Sequence, residues 1–231
     1  MPVPPPVPLT LAAAQPPCTP GDVEANVAVH ARTIRAARSR MVLFPELSLS
    51  GYELGAENIE PADPRLTPLV DACAESGAVA LAGAPVDSHI AMLRVDADGV
   101  TVAYRKMNLG DAEAERFQPG KEPAVITVDG RRFGLAICKD TGVPQHLADT
   151  AALGIDAYLA GVCDDDPAVV EERAHRAATA HGVWVAFASF AGRAGGGYDP
   201  AAGHSSIRTP DGLVVAQAGP EPGALARAAL L

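Results

Sequence analysis

Three residues with reactive side chains each follow an apolar run that is typical of a buried strand. Glu46 follows VLFP, Lys106 follows VTVAYR and Cys138 follows RFGLAI. In α/β folds the ends of buried strands form the usual rim of an active site. The carboxylate, the ammonium group and the thiol of these residues are therefore candidates for a reactive site, and strands hold side chains more precisely than loops do.

Each of the three residues also has an ordinary structural interpretation. Cys138 could be a core thiol, because free cysteine is among the most buried residue types. Lys106 could be a solvated lysine at a strand end, and Glu46 a loop carboxylate after a proline turn. For Cys138 the nucleophile interpretation is strengthened by Lys139 and Asp140, which follow it directly, since a reactive thiol needs partial exposure and a positive field.

Short apolar runs and amphipathic stretches alternate along the chain and indicate the elements that position these residues. Single strands are predicted over 9–15, 41–44, 78–83, 155–161 and 183–190, and helices over 21–39, 65–76, 144–153 and 167–182. Hairpins are predicted over 89–106, 124–138 and 205–217. Asp22 is a plausible N-cap of the first helix. The order predicts a layered α/β fold with mixed sheets and outer helices.

Composition limits the classes of function. The net charge is −10 and Lys and Arg are not clustered, so we expect no nucleic-acid partner. The longest apolar runs are too short to span a bilayer, which predicts no membrane partner. No CxxC, HxH or HExxH pattern occurs among the four cysteines and six histidines, so no metal is predicted.

The 231 residues are enough for one large domain. Residues 1–8 are rich in proline and predict a flexible lead-in, and residues 9–231 a single domain. The lead-in has neither a basic nor a long apolar region, so a signal peptide is not predicted. We therefore expect a cytoplasmic protein with four reduced thiols.

Three segments in order, LFPELSLSGY, YRKMNL and GLAICKD, resemble the catalytic segments of the nitrilase (carbon–nitrogen hydrolase) superfamily. LTLAAAQ resembles the opening strand of that family, RFQPGKEP the loop before its nucleophile strand, and AGHSSIRTPDGLVVAQAG its closing hairpin. The resemblance extends over residues 9–219. It implies a single-domain, four-layer α-β-β-α sandwich and an amidase-type enzyme that needs no cofactor.

The resemblance also implies roles for individual residues. Glu46 would be the general base, Cys138 the nucleophile that forms a thioester, and Lys106 an oxyanion donor together with the backbone N–H of Lys139. Family members carry a second glutamate after the lysine, which is Glu113 in the more common register of the loop or Glu115 in a shorter one.

Two aromatic residues, Tyr52 and Phe117, are candidate walls of the substrate pocket, although packing in the core is as reasonable for both. AGRAGGG, at 191–197, lies between strands and does not open a helix. It therefore predicts a mobile loop near the site rather than a phosphate-binding loop.

The sequence departs from the family pattern at several positions. Asn108 stands where His is usual, Lys139 stands where an aromatic residue is common, and little of the chain follows the closing hairpin. True nitrilases have Trp-Glu after the nucleophile, whereas Lys139-Asp140 is closer to the amidase-like branches. Asp140 is expected to be a structural acid, and the Lys139 side chain to point away from the nucleophile.

The function that follows is hydrolysis of a small linear amide or carbamoyl compound. Two alternatives stay open: acyl transfer by the same three residues, and an inactive binding or scaffold member of the fold. A thiol-redox role is a third, although no resolving cysteine lies near Cys138 in the sequence. The resemblance further implies a homodimer or a larger homo-oligomer.

Overall fold

Two six-stranded β-sheets lie at the centre of the protein in the computed structural model, which describes residues 8–231. Residues 1–7 of the predicted lead-in lie outside the described residues. The strands of the first sheet are β1 (Leu9–Ala14), β2 (Met41–Leu43), β3 (Val79–Val86), β4 (His89–Asp96), β5 (Gly99–Arg105) and β14 (Leu225–Leu230). Those of the second are β6 (Val125–Val128), β7 (Arg131–Ile137), β8 (Ala157–Val162), β9 (Trp184–Ser189), β12 (Ser206–Arg208) and β13 (Val214–Gln217).

Each sheet has a parallel centre and antiparallel edges. The spatial orders are β14-β1-β2-β3-β4-β5 and β13-β12-β9-β8-β7-β6. The parallel strands are β1, β2 and β3 in one sheet and β7, β8 and β9 in the other. Because parallel strands end at the same edge of a sheet, the segments after β2 and β7 emerge at the rims where a site is expected.

Helices cover the outer face of each sheet. They are α1 (Val23–Ala37) and α2 (Thr67–Ser76) on the first sheet, and α4 (Pro144–Ala152) and α5 (Pro167–His181) on the second. Asp22 caps α1 as predicted, since its Oδ1 accepts a hydrogen bond from Ala25 N at 2.9 Å. A four-residue helix, α3 (Asp111–Ala114), follows β5.

Apolar side chains fill three layers between these elements. One cluster lies between the two sheets and includes Leu43, Leu81 and Leu159. A second lies beneath α1 and α2, and a third beneath α4 and α5. The predicted four-layer α-β-β-α sandwich is therefore confirmed.

The structure also contains elements that the sequence did not predict. β14 pairs antiparallel with β1 from Leu9↔Leu230 to Ala14↔Leu225, so the residues after the closing hairpin complete the edge of the first sheet. Three of the six residues of β14 are alanine, which does not favour a strand and explains the omission. Within the described residues, no helix is both long and apolar enough to span a bilayer.

The turn that follows β2 passes between two strands at glycine residues. A Cβ atom added to Gly83, in β3, would lie 2.5 Å from Pro45 O and closer still to Leu47 N. A Cβ atom added to Gly161, in β8, would lie 2.9 Å from Glu46 N. Both sheets therefore press on the backbone of this turn, and only residues without a side chain permit the approach.

We predict that Gly83→Ala destabilises the protein by about 1–3 kcal/mol, because the new methyl group must displace the backbone of the turn. The measurement is the free energy of unfolding from urea titration at 25 °C. Gly55→Ala is the matched control: a Cβ at exposed Gly55 meets nothing within 4 Å, so its change should stay within about 1 kcal/mol. Equal stability of the two variants would contradict the close approach.

Candidate active site

Glu46 lies on the turn after β2 and is held away from solvent. Its residue exposure is 1%. Oε1 accepts a hydrogen bond from Lys106 Nζ at 2.6 Å. The other oxygen, Oε2, is buried and has no hydrogen-bond partner among residues 8–231. A buried carboxylate oxygen without a partner is ready to accept a proton.

Lys106 is the first residue after β5, and its backbone continues the sheet by donating to Ile90 O at 2.8 Å. Its side chain is 1% exposed. Besides Glu46, Nζ donates to both carboxylate oxygens of Glu113, at 2.7 and 2.8 Å. The ammonium group thus lies between two carboxylates, where it neutralises charge that would otherwise be buried alone.

Glu113 lies on α3 and is fixed by two further hydrogen bonds. Its Oε2 accepts from Gly110 N at 2.6 Å, and its Oε1 accepts from the Tyr52 hydroxyl at 2.6 Å. Glu115, one residue beyond α3, is exposed. Of the two registers that the sequence left open, the structure brings Glu113 to Lys106 and leaves Glu115 at the surface.

Cys138 follows β7 directly and has an unusual backbone conformation. Its φ is +41°, in the left-handed region that residues with a side chain seldom adopt. A short 3₁₀ helix, Cys138–Gly142, begins there. Cys138 is half-buried as a residue, and its thiol donates to Cys163 O at 3.2 Å. The sharp bend therefore presents the thiol at the rim of the second sheet, while Lys139 N–H lies in the first turn, where amides lack partners within the helix.

The surroundings of Glu46 bring its titration into the physiological range. Burial is the largest effect and raises the pKa to about 7; the positive charge of Lys106 lowers it, and the negative charge of Glu113 raises it. Near neutral pH the carboxyl group is consequently present in both protonation states. It is suited to accept and return a proton.

The other charged groups of the cluster remain ionised. Burial lowers the pKa of Lys106, but Glu46, Cys138 and Glu113 outweigh burial and raise the pKa above its usual value. Burial raises the pKa of Glu113, but Lys106 and hydrogen bonds from Tyr52 and Gly110 lower it on balance. An ammonium–carboxylate pair is therefore retained beside Glu46.

The thiol of Cys138 is protonated in the resting protein. Burial and the negative charge of Glu46 raise its pKa, and Lys106 only partly opposes them. A protonated thiol is a weak nucleophile. A nearby base is therefore required, and Glu46 is the group whose pKa suits that task.

Asp140 connects the bend at Cys138 to the segment after Lys106. It is fully buried. Its Oδ1 accepts from the backbone and side-chain nitrogens of Asn108, at 2.8 and 2.9 Å. Its Oδ2 accepts from Ile137 N at 3.0 Å and from the Tyr104 hydroxyl at 2.8 Å. Through these hydrogen bonds Asp140 connects the two sheets beside the site, away from the reactive groups.

The hydrogen bonds of Asp140 continue through Tyr104 into a buried hydrogen-bond network that the sequence did not indicate. Tyr104 Oη lies 2.8 Å from His146 Nε2, and His146 Nδ1 lies 2.9 Å from the Tyr158 hydroxyl. Burial lowers the pKa of His146, which keeps the ring neutral. The three residues are distant in sequence, so no local pattern could have joined them.

The remaining predicted site residues occupy different surroundings. Lys139 is exposed, and its Nζ donates to Leu109 O at 2.6 Å. Its side chain therefore points towards the segment that follows Lys106. Tyr52 is partly exposed and contacts Glu113. Phe117 is 4% exposed and packs in the core between the sheets, which favours the packing interpretation for this residue.

The described part of the chain contains neither a metal-binding cluster nor a disulfide. Among residues 8–231, no group of three or more His, Cys, Asp or Glu side chains could hold a metal ion. Cys18, Cys73, Cys138 and Cys163 are all free thiols.

Known proteins with similar sequences include a hydrolase and an amidase. A hydrolase from the pqqF 5′ region of Pseudomonas protegens is 30% identical over 227 residues, covering 91% of this chain and 79% of the relative. An (R)-stereoselective amidase from a Pseudomonas species is 30% identical over 211 residues, covering 86% and 77%.

Solved structures with the same fold include nitrilase-superfamily members. The amidase from Nesterenkonia sp. AN1, in a mutant bound to butyramide, aligns with a TM-score of 0.85 at 25% identity, covering 96% of this chain and 90% of that chain. A branch 10 member of the nitrilase superfamily from Saccharomyces cerevisiae aligns with a TM-score of 0.84 at 23% identity, with the same coverage. The second likeness concerns the fold alone.

The family model of carbon-nitrogen hydrolases matches residues 10–230, nearly the whole described chain. Together with the two relatives at 30% identity, this match identifies the family. The protein belongs to the carbon-nitrogen hydrolase family.

Proposed function

We propose that the protein hydrolyses small linear amides or carbamoyl compounds through a thioester on Cys138. The observation that carries the proposal is the position of Lys106 Nζ, 2.6 Å from Glu46 and 2.7 Å from Glu113, beside a thiol on a left-handed bend. This arrangement supplies a base, a fixed positive charge and a nucleophile at one rim.

In the first step, the Cys138 sulfur attacks the carbonyl carbon of the amide while its proton passes to Oε2 of Glu46. The carbonyl π electrons move onto oxygen, which becomes an oxyanion. Lys106 Nζ and the backbone N–H of Lys139 donate hydrogen bonds to that oxyanion. Fixed donors at such a position stabilise the transition state more than the substrate.

In the second step, the carbonyl re-forms and the carbon–nitrogen bond breaks. Glu46 returns its proton to the departing amine, which leaves as ammonia or an amine. Glu46, again a carboxylate, then removes a proton from water as the water attacks the thioester. Collapse of this second tetrahedral intermediate releases the acid, and the proton on Glu46 returns to the sulfur.

Glu113 holds the ammonium group in place and does not exchange protons in this scheme. Its pKa is lowered, so it stays ionised while Glu46 titrates. The Tyr52 hydroxyl donates to Glu113 Oε1 at 2.6 Å, the same oxygen that accepts from Lys106 Nζ at 2.7 Å, and so fixes the carboxylate. Glu113 and Tyr52 are thus positioning residues for Lys106.

The relatives support an amide substrate over a nitrile. One is named an (R)-stereoselective amidase, and the Nesterenkonia amidase was solved with butyramide. The expected homodimer and cytoplasmic location have no support in the contacts of a single chain and stay predictions.

The test is a panel of acetamide, propionamide and butyramide beside their matching nitriles and a linear N-carbamoyl compound, with ammonia release as the measurement. We expect turnover of amides or of the carbamoyl compound and none of the nitriles. Cys138→Ala should abolish turnover and keep the far-UV circular dichroism spectrum. Nitrile turnover without amide turnover would refute the substrate class. Hydroxamate formation with added hydroxylamine measures acyl transfer to an amine in place of water.

We predict that kcat/KM for an amide rises with pH through an apparent pKa of about 7, because only deprotonated Glu46 accepts the thiol proton. One pH unit below that value, about a tenth of the carboxyl groups is deprotonated, so the rate falls about tenfold. Glu46→Gln should lose about 10²-fold or more. A profile that is flat between pH 6 and 8, or a Glu46→Gln variant with normal rates, would refute the assignment of the base.

We predict that Lys106→Met lowers kcat by about 10²–10³-fold, the usual effect of losing an oxyanion donor. Since the change also leaves two buried carboxylates without their cation, folding must be checked by circular dichroism and the melting temperature. The matched control is Lys121→Met, because Lys121 is exposed and its side chain takes no part in the hydrogen bonds that join Lys106 to Glu46 and Glu113. A near-normal kcat with only a raised KM would assign Lys106 to substrate binding instead.

A further inference from the structure

The glycine-rich segment is a tight hairpin in the structure. It connects β10 (Ala191–Gly192) with β11 (Ala201–Ala202), which pair antiparallel. Between them the chain folds back on itself: Ala194 N donates to Tyr198 O at 2.9 Å, and Tyr198 N donates to Gly195 O at 3.0 Å. Tyr198 therefore has a defined place at the base of this turn.

The hairpin is packed directly on the segment that carries Tyr52. Tyr52 N donates to Ala194 O at 2.7 Å. A Cβ atom added to Gly196 would lie 2.8 Å from Tyr52 Cδ1 and closer still to Tyr52 O. Glycine at this position permits the close contact. The hairpin and Tyr52 consequently form one unit.

The ring of Tyr198 contacts a residue of the candidate active site. It meets Tyr52 edge-on, with ring centroids 5.0 Å apart and an angle of 78° between the planes, and Tyr52 in turn donates to Glu113. Tyr52 and Tyr198 both pack against one apolar cluster, which consists of Cys163, Phe190, Ala194 and Ala201. Cys163 O accepts a hydrogen bond from the Cys138 thiol at 3.2 Å, so this cluster adjoins the nucleophile.

The hydroxyl group of Tyr198 is neutral at physiological pH, because burial, the largest effect, raises its pKa to about 12. Within residues 8–231, the ring of Tyr52 forms a close ring pair with Tyr198 and with no other aromatic residue.

We propose that the ring of Tyr198 forms the outer wall of the acyl pocket and limits the length of the acyl chain that the enzyme accepts. This inference rests on the proposed amide hydrolysis. In this arrangement an acyl group bound to Cys138 extends past the Cys163 carbonyl, which accepts the Cys138 thiol, towards the rings of Tyr52 and Tyr198. Because the rings of Tyr52 and Tyr198 touch, a short chain fits in front of them, and a long chain meets the ring of Tyr198.

The first test compares kcat/KM for butyramide and hexanamide in the wild type and in Tyr198 variants. Tyr198→Ala removes the ring and should shift the ratio at least about tenfold towards hexanamide, since one methylene in an apolar pocket changes specificity by about 10–200-fold. Tyr198→Phe is the matched control and should keep the wild-type ratio, because the ring remains. Tyr198→Trp enlarges the wall and should shift the ratio the other way.

The second test measures how the Tyr198 ring limits the length of a reagent that alkylates Cys138, and it needs no turnover of an amide. 2-Bromopropanamide and 2-bromohexanamide alkylate a cysteine by forming a carbon–sulfur bond as bromide leaves and the thiol proton passes to a base. Peptide mapping separates labelling of Cys138 from that of Cys18, which is also partly exposed. The rate at which each reagent alkylates Cys138 is divided by the rate at which it alkylates a free thiol in solution, which corrects for its intrinsic reactivity. The ratio of the longer to the shorter reagent should rise at least about tenfold in Tyr198→Ala.

The two readouts separate the inference from the proposed function. If no amide is hydrolysed but the labelling ratio shifts in Tyr198→Ala, the proposed function is wrong, and the role of Tyr198 as the outer wall of the pocket is supported. If amides are hydrolysed and neither the kcat/KM ratio nor the labelling ratio changes in folded Tyr198→Ala and Tyr198→Trp, the role of Tyr198 as the outer wall is refuted. The proposed function is then supported. Circular dichroism checks each variant, and Tyr198→Leu replaces Tyr198→Ala if the latter does not fold.

Discussion

The burial of the Lys106 ammonium group between two carboxylates is the constraint on which the site depends. A charge of this kind is tolerated away from water only if its partners arrive with it, because removing one partner of a buried pair typically costs about 3–5 kcal/mol. The partners come from separate segments: Glu46 from the turn after β2 and Glu113 from α3. Folding must therefore close all three segments around one ammonium group, and that closure fixes the geometry.

The nucleophile belongs to the other sheet, so the two sheets must also keep their relative position. Asp140 provides the connection. It accepts two hydrogen bonds from Asn108, which follows Lys106, and one from Ile137 N, which precedes Cys138. The left-handed backbone of Cys138 is unfavourable for a residue with a side chain, and the bond to Ile137 N helps to hold it. One buried carboxylate thus supports both the bend and the lysine segment.

Much of this arrangement could be predicted from the sequence, because it follows from local patterns. Glu46, Lys106 and Cys138 each end an apolar run, and such runs predict buried strands. Spacing back from Phe117 and Pro119 favours Glu113 over Glu115 but leaves both registers open, since the outcome depends on where α3 begins. Strand alternation suggests that Asp140 shares a face with Cys138, but the 3₁₀ helix redirects it towards Asn108. Tyr198 was not predicted because its ring contact with Tyr52 joins residues that are distant in sequence.

The same burial that prepares Glu46 for catalysis reduces the stability of the fold. The pKa of Glu46 is about 7 in the folded protein against a reference of 4.5. Between these values the folded state binds the proton more tightly than the unfolded chain does, so stability falls as pH rises through this range. Yet this is the range in which the carboxylate forms and acts as a base. The hydrogen bonds of Glu113 and Asp140, and the close packing of the turn against Gly83, must therefore offset a penalty that the chemistry itself requires.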